Sequence, residues 1–139
     1  MAFPKITACI VCEGARAELN NKHILLGYFG VAPDVSIIFQ DIKKPIQLCF
    51  VFSAGKGAGV FKLELKVSTS DGILVPNSAV SSVEGEFIEA RVTSNIFFGF
   101  SAVLPKTDRY KIALFVDGAE NYSTSVDFGA ADTGPATVN

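Results

Sequence analysis

Apolar and polar residues alternate along much of the chain with a period of two. In Val60–Thr69, Phe61, Leu63, Leu65 and Val67 fall on one side, and Lys62, Glu64, Lys66 and Ser68 on the other. Successive side chains of a strand point to opposite faces, so this pattern predicts a strand with one dry and one wet face. The pattern recurs with Tyr110, Ile112, Leu114 and Val116, and again with Tyr122, Thr124, Val126 and Phe128. Turn chemistry separates the runs: Asp71-Gly72, Asp117-Gly118, Ala32-Pro33-Asp34, Lys44-Pro45, Pro76-Asn77, Pro105-Lys106 and the glycine-rich 55–59. Strands are expected near residues 6–13, 23–31, 35–41, 46–53, 60–69, 73–76, 86–93, 96–104, 109–117 and 122–128. Helical periodicity never reaches helix length, and Gly14–Asn20 supports at most one short helical turn. The expected fold is all-β: an antiparallel two-sheet β-sandwich of about 8–10 strands.

Four of these segments are apolar on both sides. Ile46–Phe52 sets Ile46, Leu48, Phe50 and Phe52 against Cys49 and Val51, with Gln47 its only polar residue. Ile6–Cys12, Ile24–Val31 and Ile96–Leu104 are similarly two-sided. A strand in a two-layer sandwich is dry on one face, so a second apolar face needs a second cover. A second copy of the chain would supply it, with the N-terminal strands or Ile96–Leu104 at the contact. The residues expected on that surface are Phe29, Val51, Phe97, Phe98 and Phe100. Coverage by the chain's own loops is the competing expectation.

Composition narrows the picture. The 139 residues suit one domain, and a chain of this length buries roughly 68–70% of its unfolded surface without help from metals or disulfides. The sandwich is expected over residues 1–128, followed by a small, polar tail at 129–139. Charged residues make up 19%, against an average of about 25%. With 12 Phe and little charge, the domain has less polar surface than usual with which to cover itself. The net charge of −2, with no basic run beyond Lys43-Lys44, argues against nucleic acid as a partner. No apolar run approaches the ~20 residues of a membrane helix, and the first residues lack the layout of a secretion signal. Three cysteines, an odd and small count, argue against a disulfide framework, and the expected location is cytoplasmic.

The search for chemistry yields little. His23 is the only histidine, which excludes a histidine-based metal cluster, and its ordinary reading is a solvated hairpin residue. Cys9 and Cys12 are spaced as CxxC, but on a strand residues three apart face opposite ways, and no helix follows to activate a thiol. The glycine-rich 55–59 segment leads into a strand rather than a helix N-terminus, so it reads as a connection rather than a phosphate loop. The carboxylates are scattered, and no loop has the dense acids of a calcium site. Glu13, Arg16 and Glu18 form the most polar cluster of the N-terminal half, where Arg16 can pair with either acid. No catalytic, cofactor or metal-binding residues are expected.

The opening residues carry a resemblance. Cys12-Glu13-Gly14-Ala15-Arg16-Ala17-Glu18, then Asn21-Lys22, then Leu25-Leu26-Gly27-Tyr28-Phe29-Gly30, resembles the start of a bacterial family of uncharacterised β-sandwich proteins. Asp108–Gly118, with Tyr110 and Val116-Asp117-Gly118, resembles the end strands of immunoglobulin-like sandwiches, although Asp108-Arg109 stands where a glycine is common. Together these imply an immunoglobulin-like or C2-like sandwich and bring no catalytic residues with them. The expected function is a non-enzymatic interaction or structural module that self-associates or meets an unidentified protein partner. The alternative is a small-ligand or carbohydrate-binding module using aromatics such as Tyr122 or Phe3, a reading weakened by the absence of Trp.

Overall fold

A computed structural model of the chain describes residues 2–18, 22–89 and 94–131. Nine strands follow one another: β1 (Lys5–Ala17), β2 (His23–Val31), β3 (Ser36–Phe39), β4 (Ile46–Gly55), β5 (Gly59–Ser68), β6 (Ser82–Phe87), β7 (Ser94–Ala102), β8 (Asp108–Val116) and β9 (Ala119–Ala130). They form two sheets, one of four strands in the order β2-β1-β4-β7 and one of five in the order β3-β9-β8-β5-β6. The described residues contain no α-helix.

The alternating segments behave as their pattern requires. Phe61, Leu63, Leu65 and Val67 are buried, as are Tyr110, Ile112, Leu114, Val116, Val126 and Phe128. From the four-stranded sheet, Cys9, Val11, Phe50, Phe52, Phe98 and Phe100 meet them in one continuous core. Asp117-Gly118 closes β8 onto β9 with both residues at positive φ, 49° and 83°, the conformation of a type I′ hairpin turn. Val116 and Ala119 are paired directly on either side of it.

Several expectations need correction. The five-stranded sheet is mixed, because β3 runs parallel to β9, with Ser36 opposite Asp127 and Phe39 opposite Ala130. β9 thus continues through Gly129 and Ala130, past the expected strand end at residue 128, while residues 132–139 lie outside the described residues. Gly14–Ala17 is the end of β1, paired to Leu26 through His23, and takes no helical turn; the rest of that proposed turn falls partly outside the described residues. Residues 73–76 form no strand beyond the bridge Ser68–Leu74. The strand expected at 86–93 starts earlier, at Ser82, and ends at Phe87, while residues 90–93 lie outside the described residues. There a glycine at position 85 sits opposite Phe61, where an added Cβ would come within 2.6 Å of the Leu63 side chain.

Candidate interaction surface

The site begins where β1 leaves β4. The two strands pair from Lys5–Gly55 to Cys12–Cys49 and then stop, although β1 runs on to Ala17 and β4 begins three residues before Cys49. From Gly14 to Ala17, β1 is paired with β2 alone. The result is a two-stranded arm, held by Ala15 and Leu25 packing on the small core and by one ring contact. His23 of β2 stacks on Phe97 of β7, with ring centroids 4.3 Å apart. Two strands separate β2 from β7, which in a flat sheet would hold them about 14 Å apart. The sheet is therefore strongly curled, and the arm lies over its outer face.

Beneath the arm is a second, smaller core. Cys12, Cys49 and Val51 are its buried members, with Ile10, Ala15, Leu25 and Phe97 packed against them. This is the second cover that the two-sided strands demanded, and the chain supplies it to itself. The CxxC cysteines do face opposite ways: Cys9 belongs to the main core and Cys12 to the small one. All three cysteines are free and buried. Burial holds the thiols of Cys9 and Cys49 up at about 12, and that of Cys12 is raised for the same reason.

The five residues expected on one contact surface are dispersed by this arrangement. Phe98 and Phe100 point into the main core. Val51 lies in the small core, and Phe97 is half-buried against it under the His23 ring. Only Phe29 is exposed. His23 is exposed, as expected of a solvated residue, and one face of its ring stacks on Phe97. The polar cluster also divides. Arg16 pairs with Glu18 at 2.8 Å on the surface, whereas Glu13 lies across the bare backbone of Gly27, occupying the space a Cβ would need. Gly27 has φ of +62°, so both its conformation and its neighbour favour glycine.

Of the two-sided strands expected at a contact, the one left most open is β2. Ile24, Leu26, Tyr28, Phe29 and Val31 are each between 40% and 60% exposed, all within one nine-residue strand. β2 is an edge strand: among the described residues it pairs with β1 and nothing else. Edge strands usually carry charge or proline that discourages pairing with another chain. β2, His23-Ile-Leu-Leu-Gly-Tyr-Phe-Gly-Val31, has no acidic residue, lysine, arginine or proline; its one irregularity is a bulge opposite Val11–Cys12. The opposite edge of the same sheet is treated differently. There Asn77 and Ser78 bind the backbone of β7, with the Asn77 side chain reaching Gly99 O and Ser101 N at 3.0 and 2.9 Å.

Two open clefts adjoin the point where β1 and β4 part. One, of about 440 Å³, is lined by Phe29, Phe39, Asp41, Lys44 and Leu48 among others. The second, of about 410 Å³, lies under the arm beside Cys49, Phe97 and Gly99. Glu13, Gln47 and Leu48 border both.

At the start of β8, Asp108 ties two loops together. It accepts hydrogen bonds from the Ser70 backbone and hydroxyl at 2.8 and 2.9 Å, and Lys106 bridges it to Asp71. These donors hold both carboxyls below the usual carboxylate range, with the Ser70 amide the main cause for Asp108 and the Thr69 hydroxyl for Asp71. Below them the fully buried Tyr110 donates its hydroxyl to the Lys106 carbonyl, four residues upstream.

Among the described residues there is no group of three or more potential metal ligands, and no helix long and apolar enough to cross a membrane. Comparison of the chain with protein-family models gives no match, and no curated protein is significantly similar to it in sequence.

Proposed function

We propose that this chain is a non-enzymatic interaction module that self-associates through β2 and the arm that carries it. The observation that supports the reading is the run of exposed apolar side chains on an unpaired, uncharged edge strand. A second copy related by a two-fold axis meets no like charge along this strand, since β2 carries none. The five exposed side chains present on the order of 400 Å² per chain, so a symmetric contact buries on the order of 800 Å² before main chain is counted. That lies a little below the lower limit of about 1,000–1,200 Å² for a specific interface, which fits a weak, transient contact. The buried Tyr110 hydroxyl, bound to a backbone carbonyl four residues upstream, supports a sandwich of immunoglobulin type, in which such a tyrosine corner recurs. Three free thiols support a reducing, cytoplasmic location.

Light scattering across a concentration series tests the reading. A mass rising from 14.8 kDa toward twice that value is expected. Tyr28→Lys, at a site 60% exposed, is expected to hold the chain at monomer mass with its stability within about 0.5 kcal/mol of wild type. A wild-type chain that stays monomeric at several hundred micromolar overturns the proposal.

The cleft of about 440 Å³ favours a second reading, small-ligand binding, because its size and its mixture of Phe29 and Phe39 with Asp41 and Lys44 match ordinary ligand sites. Saturable shifts of these residues' amide resonances on titration with monosaccharides or small aromatic acids would favour it over self-association.

A further inference from the structure

The small core holds two thiols in a relationship that the packing alone does not require. Cys12 and Cys49 are direct partners across the β1–β4 pair. Opposed residues of antiparallel strands have Cα atoms about 4.5 or 5.5 Å apart, and disulfides span Cα distances of about 4.4–6.8 Å. The Cα spacing therefore suits a bridge in either kind of pair, with a small approach of the two Cβ atoms, which lie about 4.5–5.5 Å apart in opposed residues and about 3.5–4.5 Å apart in a disulfide. The Cys12 thiol lies 3.6 Å from the Cys49 carbonyl oxygen, and both side chains are buried members of the same small core. Cys9 is excluded by the same geometry, because it sits in the main core on the other face of β1, opposite Phe52.

The geometry points to Cys12 and Cys49 as an oxidisable pair, which a small disulfide such as oxidised glutathione converts into a cross-strand disulfide. One thiol, as its thiolate, attacks the oxidant and releases one glutathione thiol, leaving a mixed disulfide. The other thiolate then attacks the protein sulfur of that mixed disulfide and expels the second glutathione. Overall the pair loses two protons and two electrons, and one oxidised glutathione becomes two reduced molecules. The new bond fastens β1 to β4 at the last residue they share, where the arm departs.

The arm controls access. Both sulfurs lie in the core beneath it, and the His23–Phe97 ring contact joins its free strand to β7. Cys49 borders the open cleft, whereas Cys12 is fully buried, so closure of the bridge onto Cys12 proceeds through lifting of the arm, a local opening rather than global unfolding. The burial that raises both thiol pKa values keeps them unreactive while the arm is down.

The test is incubation of the folded full chain with oxidised glutathione, followed by alkylation in denaturant and peptide mapping without reductant. Two of the three thiols are expected to disappear together, leaving Cys9 alkylated and the Cys12 and Cys49 peptides joined. His23→Ala, which loosens the arm, is expected to speed the reaction roughly three- to tenfold, the equivalent of one lost ring contact. Cys9→Ala keeps the pair and is expected to give the same linkage. A crosslink that includes Cys9, or three free thiols persisting after the His23→Ala chain has been treated, overturns the proposal. An unchanged rate in His23→Ala overturns the role of the arm.

Discussion

His23 and Phe97 lie on opposite edge strands of one sheet, yet their rings stack at 4.3 Å. That contact explains how strands with two apolar faces coexist in a two-layer fold. One face of β1, β4 and β7 packs on the five-stranded sheet. The other is covered by the arm that β1 and β2 form after β1 leaves β4. Covering one sheet's outer face with its own edge also determines what is left uncovered, namely the apolar side chains of β2.

Phe97 and Phe98 are neighbours on β7 that serve different cores, and truncation should distinguish them. Phe98→Ala removes a side chain that is 1% exposed in the main core and is expected to cost about 3–5 kcal/mol. Phe97→Ala, half-buried in the small core, is expected to cost about 1–2 kcal/mol, with the loss felt first in the arm. Urea unfolding gives the totals, and amide exchange in residues 23–26 locates the second effect.

Stability should fall in alkali. Cys9 and Cys49 ionise near 12 when folded, against an ordinary thiol value of 9.0. Below about pH 9 both states keep these protons, so stability is unaffected. Between about pH 9 and 12 the unfolded chain ionises first and is favoured, at up to about 1.4 kcal/mol per thiol per pH unit. Denaturant midpoints from pH 7 to 11 should be flat and then decline, and Cys49→Ala should decline less steeply. A flat profile to pH 11 would contradict the burial of these thiols.

Tyr110→Phe leaves the packing of the main core intact and strands the Lys106 carbonyl, at an expected cost of about 1–2 kcal/mol. Asp108→Asn loosens the same corner by weakening its hold on Ser70 and Lys106. Because the folded-state pKa values of Asp108 and Asp71 are lowered, the stability they lend is present above the ordinary carboxylate range and lost as pH falls through it. Thermal unfolding between pH 7 and 3 should therefore show a smaller acid loss in Asp108→Asn than in wild type.

The strands that alternate cleanly were legible because their period reports a single buried face. Phe61 through Val67 and Tyr110 through Val116 are oriented as their pattern predicts, and Asp117-Gly118 forms the tight turn its composition encodes. The two-sided strands announced a second cover but could not say what supplied it. Whether Cys12 and Val51 face solvent, a partner or an arm depends on where β1 parts from β4, a tertiary event without a local signature. The same holds for Phe98 and Phe100, whose inward direction depended on which side of β7 met the other sheet. The parallel pairing of β3 with β9 was hidden because parallel and antiparallel neighbours of a short strand such as Ser-Ile-Ile-Phe leave the same alternation. On β2, apolar residues on both faces signalled a need for cover, but nothing local says that the strand's edge position leaves five of them open to solvent.

The account turns on the free edge of β2 being the place where a second copy docks. Amide hydrogen exchange of residues 24–31, followed from low micromolar to high micromolar concentration, tests this most directly. Protection that grows with concentration along β2, while β5 and β8 are unchanged, is the predicted result. Exchange along β2 that is identical at both concentrations would contradict it.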